Sequence, residues 1–299
     1  MVRQRNIDGA ALMNHELISR QDSIDILIKK LRDKEVFTFV RYGDGDYKMM
    51  YAESIGKIVG GNNRILVTKR FRKELIDSYN IEDKNWLIGS SVGDMSKRST
   101  FKNIKLNKLP LLHQRDKLLA VGCLMDSFIE DIERFKLFAK EMCKTSSMFV
   151  GCYNHSNLEA AYGSIKVYVQ TPKQNSYSEV ERIYKEVLTG LDKVDKIVLS
   201  AGQSSRIIAK RLYETSKEIT IVDVGSVSDM LIMNTDIINT IQQRSHLYIY
   251  QDQIIKSLSE LLGYRVGSKM IYKNKRNINK RPVKKNIRRR RNIHIINRR

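Results

Sequence analysis

Proline, cysteine and tryptophan are scarce in this chain, at 3, 3 and 1 of 299 residues. The few prolines, beside abundant Ile, Lys and Asn, fit an AT-rich coding sequence and carry no functional information. Cys123, Cys143 and Cys152 form no CxxC pair and lack metal-finger spacing. Their number is odd and no secretory signal accompanies them, so reduced thiols in a cytoplasmic protein are expected. The opening "MVRQRNIDGA" has no apolar h-region. No apolar run reaches the roughly 18 residues of a membrane-spanning helix. No internal repeat is present, and no G-x-G-x-x-G, so a dinucleotide fingerprint is not supported.

Acidic residues are missing from one whole segment. Positions 268–299 hold 14 Lys or Arg and no Asp or Glu, whereas the chain as a whole carries +21. Residues 1–267 are therefore only mildly basic. The tail, ending "KKNIRRRRNIHIINRR", cannot bury enough apolar surface to fold alone and is expected to be disordered. Like charges keep it extended and attract polyanions, so nucleic acid and anionic membrane surfaces are its candidate contacts.

The full chain is 41% apolar and long enough for one large domain or two small ones. "DSIDILIKKLRD" (22–33) has helical spacing, with Asp22 or Ser23 as its cap. "VFTFVRY" reads as a buried strand, "GDGD" as a turn and "DYKMMYAESIG" as a short helix. "KRFRKELIDSY" is an amphipathic helix and "NWLIGSS" a strand. Residues 111–142 are mostly helical by pattern. "SMFVGCY" and "IKVYVQT" read as strands around a short helix, and "SYSEVERIYKEVLTGL" as a helix stopping near Gly190. "DKIVLSAG", "QSSRIIAKRLYE" and "EITIVDVG" form the best-defined strand–helix–strand unit, and "QDQIIKSLSELLGY" is the last helix. The alternation predicts an α/β fold with a mostly parallel sheet flanked by helices over 1–267, followed by the basic tail at 268–299.

One stretch concentrates chemistry. In "FTFVRYGDGDYKMM" (37–50) a strand ends at Arg41 and Tyr42, and Asp44 and Asp46 follow with a glycine between them. Ligands of open α/β sheets collect at the carboxyl ends of the strands. Gly43 and Gly45 permit a tight turn and close backbone approach. A pair of carboxylates there suits a divalent ion shared with a diphosphate, the ion acting as Lewis acid and template. Arg41 adds a fork of donors for phosphate. The plain alternative is a surface turn built from common turn residues.

Other candidates lie at later strand ends. "SAGQSSR" (200–206) brings Gly202, Gln203, Ser204 and Ser205 to a helix N-terminus, fit for an anion or for ordinary turn capping. Asp223 ends a strand, to meet a sugar hydroxyl or to cap the next helix. His155, in "GCYNHSN", is a general base, a phosphate donor or a plain loop residue. "VGGNNR" (59–64) is a loop to close over a ligand or a mere connector. Cys152 stands too close to His155 in sequence to form a catalytic pair with it. Trp86 and the tyrosines are expected to pack rather than to stack on ligands.

"RYGDGDY" resembles the "RFGDGE" segment of the GT-D type glycosyltransferases, whose metal signature is D-x-E. "KIVLSAGQSSRIIAKRLYE" is similar to that family's late strand, turn and helix, with Gln203 where the family has Pro. "ITIVDVGSVSDM" resembles its following strand, with Ser226 where the family has His. The order and spacing agree over residues 37–230. The resemblance implies a Rossmann-like fold. It implies transfer of a sugar from a nucleotide diphosphate sugar to a hydroxyl of a glycan or glycoprotein, assisted by Mn²⁺ or Mg²⁺. Asp44 and Asp46 would serve metal and diphosphate; Arg41, Gly43, Gly45 and Gly202–Ser205 the nucleotide sugar; His155 and Asp223 are candidate catalytic groups. The competing reading is a catalytically idle α/β module that engages nucleic acid or anionic surfaces through the basic tail. A third is a different Rossmann-like enzyme, such as a methyltransferase.

Overall fold

The computed structural model describes residues 16–52, 55–59, 65–91, 117–232 and 250–263. The basic tail and positions 60–64 of the "VGGNNR" loop lie outside the described residues. In chain order the first elements are β1 (Glu16–Leu17), α1 (Arg20–Arg32), β2 (Thr38–Tyr42) and α2 (Asp44–Tyr47), which runs on into a π-helical turn, Lys48–Ala52. A small hairpin, β3 (Ile58–Val59) and β4 (Ile65–Leu66), precedes α3 (Lys69–Tyr79), β5 (Trp86–Ser90) and β6 (Lys117–Ala120). Then come α4 (Cys123–Glu130), α5 (Ile132–Met142), β7 (Ser147–Gly151), α6 (Glu159–Tyr162) and β8 (Ile165–Gln170). The remainder is α7 (Val180–Leu188), β9 (Lys196–Ser200), α8 (Ser204–Thr215), β10 (Thr220–Asp223), α9 (Val227–Leu231) and α10 (Gln251–Leu262).

The main sheet has eight strands in the order β1-β6-β5-β2-β10-β9-β7-β8, every neighbouring pair parallel. The first half of the chain supplies one side of the sheet and the second half the other. They meet where β2 pairs with β10, with Thr38 opposite Ile221.

Alternation along the strands fills two cores. Val40, Ile88, Met148, Ile197 and Ile221 face α3, α7 and α8, whose Phe71, Leu75, Ile183 and Leu212 are buried against them. Their neighbours Phe39, Phe149, Val198 and Val222 face the opposite layer, where Leu27, Phe128, Phe138 and Leu258 lie on α1, α4, α5 and α10. Helices on both faces are what a parallel sheet requires, because its crossovers must cover it. Trp86 is buried edge-on to Tyr213, in a packing role. Burial pushes the Cys123 thiol up to about 12, which makes it inert. Among the described residues no helix is long and apolar enough to cross a membrane.

Two local expectations are corrected. The cap of α1 is Ser19, whose Oγ accepts from the Asp22 N–H at 3.1 Å. Ser23 instead turns inward and accepts from the Ala120 N–H at 2.9 Å, tying α1 to β6. The second correction is β6 itself, a strand within the stretch read as helical. Its four residues, KLLA, have no β-branched side chain; pairing with β5 overrides their helical preference.

Lys196 is 2% exposed at the start of β9, donating to Thr145 O and Oγ1 at 2.7 Å each. Desolvation pulls its pKa down to about 8, with Asp195 opposing. Below that value the folded protein carries a buried ammonium. Above it the unfolded chain holds the proton longer than the folded one, so stability rises with pH. Relative to Lys196→Met, the wild type should gain roughly 2 kcal/mol between about pH 7 and pH 10 in urea unfolding. An unchanging difference would show that this lysine titrates normally.

Candidate functional site

The strand-end turn after β2 is not a loop. Gly43 is the N-cap of α2, so Asp44 and Asp46 occupy helical positions. Two residues along an α-helix amount to about 200° of rotation, so side chains at that spacing do not share a face. Asp46 accordingly turns inward, and its Oδ2 accepts from the Gly43 N–H at 2.9 Å. Asp46 is 2% exposed, while Asp44 is half-buried.

What meets Asp46 is Arg206, in the first turn of α8. Its Nη2 donates to Asp46 Oδ2 at 3.2 Å, and its Nη1 lies 3.3 Å from Asp223 Oδ2 at the end of β10. Arg206 is 8% exposed and Asp223 0%. Nη1 also donates to the Gly202 carbonyl, and Asp223 Oδ1 accepts from the Gly225 N–H at 3.2 Å. Asp223 therefore braces the β10 turn and the guanidinium, while Ser226 is the N-cap of α9.

Charge in this group is contested. Burial raises the Asp46 pKa, and Arg206 opposes that rise without cancelling it. Burial also works against the Arg206 charge, but Asp46 and Asp223 outweigh it and hold the guanidinium above its ordinary value. Asp46 Oδ1, Asp223 Oδ2 and Arg206 Nε are buried without a hydrogen bond. Unsatisfied buried polar atoms are costly and concentrate where function requires them.

Arg41 crosses beneath the neighbouring loops. Its Nε donates to Val121 O at 2.8 Å and its Nη1 to Val224 O at 2.7 Å, pinning the segments that follow β6 and β10. Gly45 touches the later turn, since a Cβ there would lie 3.4 Å from Gln203 Nε2. Gly202 sits at φ +59°, the left-handed region. The structure thus brings together Arg41, Gly43, Gly45, Asp46, Gly202, Gln203 and Asp223. The two serines point away: Ser204 Oγ pairs with Ser176 Oγ at 2.9 Å, and Ser205 Oγ accepts from the Ala201 N–H at 3.0 Å, both fully buried.

His155 is used locally. Its Nδ1 accepts from the Asn157 N–H at 3.1 Å, capping a short turn. That contact engages one of its two ring nitrogens. A small cleft, with about 10 Å³ of free space, lies nearby at the ends of β7 and β9, lined by Phe149, Cys152, Tyr153, Ser200, Ser228 and Asp229 among others. Ser200 Oγ links it to the β10 turn by donating to Gly225 O at 3.1 Å.

An ion coordinated by both Asp44 and Asp46 does not fit this arrangement. The two residues stand two positions apart on α2, a spacing that does not put side chains on one helix face, and Asp46 Oδ2 is taken by the Gly43 N–H and Arg206. Among the described residues, no cluster of three or more His, Cys, Asp or Glu is disposed to hold a metal. The residue that sequence reasoning missed is Arg206. Its one signal was an arginine in the first turn of α8, directly before the apolar run Ile207–Ala209.

No family model and no curated protein matches the chain. Solved structures do resemble it. One described as "A New Glycosyltransferase (DUF1792) from Streptococcus sanguinis" superposes with a TM-score of 0.56 at 17% identity, covering 71% of this chain and 82% of that one. A second, "The highly conserved domain of unknown function 1792 has a distinct glycosyltransferase fold", gives 0.56 at 16% identity over 73% and 82%. A selenomethionine-substituted structure of the same domain gives 0.55 at 15% over 72% and 80%. This chain has the fold of those DUF1792 structures, the GT-D architecture to which "RYGDGDY" pointed.

Proposed function

We propose that the protein is a glycosyltransferase that moves a sugar from a nucleotide diphosphate sugar to a hydroxyl of a glycan or glycoprotein. The observation that carries this reading is the convergence of three turns, after β2, β9 and β10, at the line where the two halves of the sheet meet. Crevices at such a place are where open α/β sheets take nucleotides. The GT-D architecture supports the same reading.

In the reaction the acceptor oxygen bonds to the anomeric carbon of the donor sugar. The bond from that carbon to the phosphate oxygen breaks, the nucleoside diphosphate departs with the electron pair, and the proton of the acceptor hydroxyl passes to solvent. The N-terminus of α8, with the Gly202–Gln203 turn, offers backbone N–H groups and the positive end of its dipole to the diphosphate. Arg41 adds fixed positive charge behind it. Of Asp44, Asp46 and Asp223, only Asp44 keeps substantial exposure, and we assign it the contact with the reacting sugar. The Mn²⁺ or Mg²⁺ implied by the family resemblance takes no part in these steps.

A thermal-shift screen of nucleotide sugars tests the reading, because a ligand bound to the native state raises apparent stability. Asp44→Ala should abolish transfer or donor hydrolysis and leave the melting temperature of the ligand-free protein nearly unchanged. Full activity in that variant would remove Asp44 from the site.

A further inference from the structure

We propose that Arg206 is the resident cation of this site. It takes the position between Asp46 and Asp223 that a divalent ion would need, so the donor binds with no metal coordinated by Asp46. The inference deepens the transferase reading and rests on it for the identity of the donor, though not for the state of Asp46.

Three observations carry it. Both carboxylates reach the guanidinium, at 3.2 and 3.3 Å, and all three side chains are nearly or fully buried. Asp44 and Asp46 stand two residues apart on α2, a spacing that does not place two side chains on one helix face for a two-carboxylate cage. The guanidinium is itself fixed, since it also donates to the Gly202 carbonyl of the turn that opens α8. A divalent ion entering here would have to expel a covalently tethered cation and leave that cation buried without its partners. Arginine also retains its charge throughout the physiological pH range and has donors on both terminal nitrogens, which suits it to bridge two carboxylates permanently. Such a centre supplies the counter-charge for two buried carboxylates one turn inside the donor-binding helix without drawing an ion from solution.

Two measurements test it. In the first, Mn²⁺ is titrated into the ligand-free full chain and followed by electron paramagnetic resonance. The free-ion signal should fall equally little in the wild type and in Asp46→Asn. Stoichiometric Mn²⁺ binding that Asp46→Asn removes would overturn the proposal, whatever the protein's substrate. In the second, nucleotide sugars are titrated with EDTA or with Mn²⁺ present. The wild type should bind its donor equally under both conditions. Arg206→Lys should keep more of that affinity than Arg206→Met, which should lose at least about ten-fold, the equivalent of one charge-assisted hydrogen bond. Donor binding that appears only with Mn²⁺ would defeat the proposal and leave the transferase reading intact. Binding under neither condition would defeat the transferase reading, and the resonance titration would then decide the ion question alone.

Discussion

Arg206→Met is expected to lower stability by about 3–5 kcal/mol, the cost of removing one partner from a buried ion pair. Methionine fills much of the same volume, so a cavity contributes little. The loss comes from Asp46 and Asp223, which stay buried facing a thioether. Asp46→Asn should cost less, because the amide oxygen still accepts from the Gly43 N–H and one buried charge disappears. Lys73→Met provides the contrast: its pair with Asp77 is 77% and 37% exposed, and its loss should be small beside that of Arg206→Met. Urea unfolding with unchanged m-values measures all three. If Arg206→Met unfolds at the wild-type midpoint, the guanidinium is not what holds the three turns together.

The contrast between Asp44 and Asp46 shows how far the sequence could be read. The strand before them was legible because Phe37–Val40 is an unbroken buried run of aromatic and β-branched residues, and the turn because two glycines follow it. The unit from β9 through α8 to β10 was legible for the same reason, a switch of period between glycines. The direction of the carboxylates was not. Whether two residues at i and i+2 converge depends on whether the turn is a loop or already a helix, and "GDGD" fits both. Arg206 escaped notice because its partners are 160 and 17 positions away in sequence and no local pattern encodes that pairing. The strand β6 was hidden by its leucines, which favour a helix until a neighbouring strand is present. Asp223 was placed correctly at a strand end, yet its partner is a guanidinium on the adjacent helix, visible only once the sheet order is known.

Gly225→Ala is expected to disrupt the site from the other side of β10. Gly225 sits at φ +52°, where an L side chain costs about 1–2 kcal/mol. Its added Cβ would also lie 2.3 Å from Arg41 Nη1 and 3.0 Å from Cζ. The end of an arginine usually swings aside at little cost, but this one is anchored to Val121 O and Val224 O. Moving it breaks hydrogen bonds from a charged group, worth about 1.5–3 kcal/mol each. A total loss of about 3 kcal/mol follows, together with loss of donor binding as the β10 turn shifts. A double-mutant cycle separates the two contributions. In an Arg41→Ala background the clash is absent, so Gly225→Ala should cost only the backbone part, about 1–2 kcal/mol. Equal costs in both backgrounds would mean that Arg41 yields freely, and that the close approach of residues 41 and 225 does not hold the β10 turn in place.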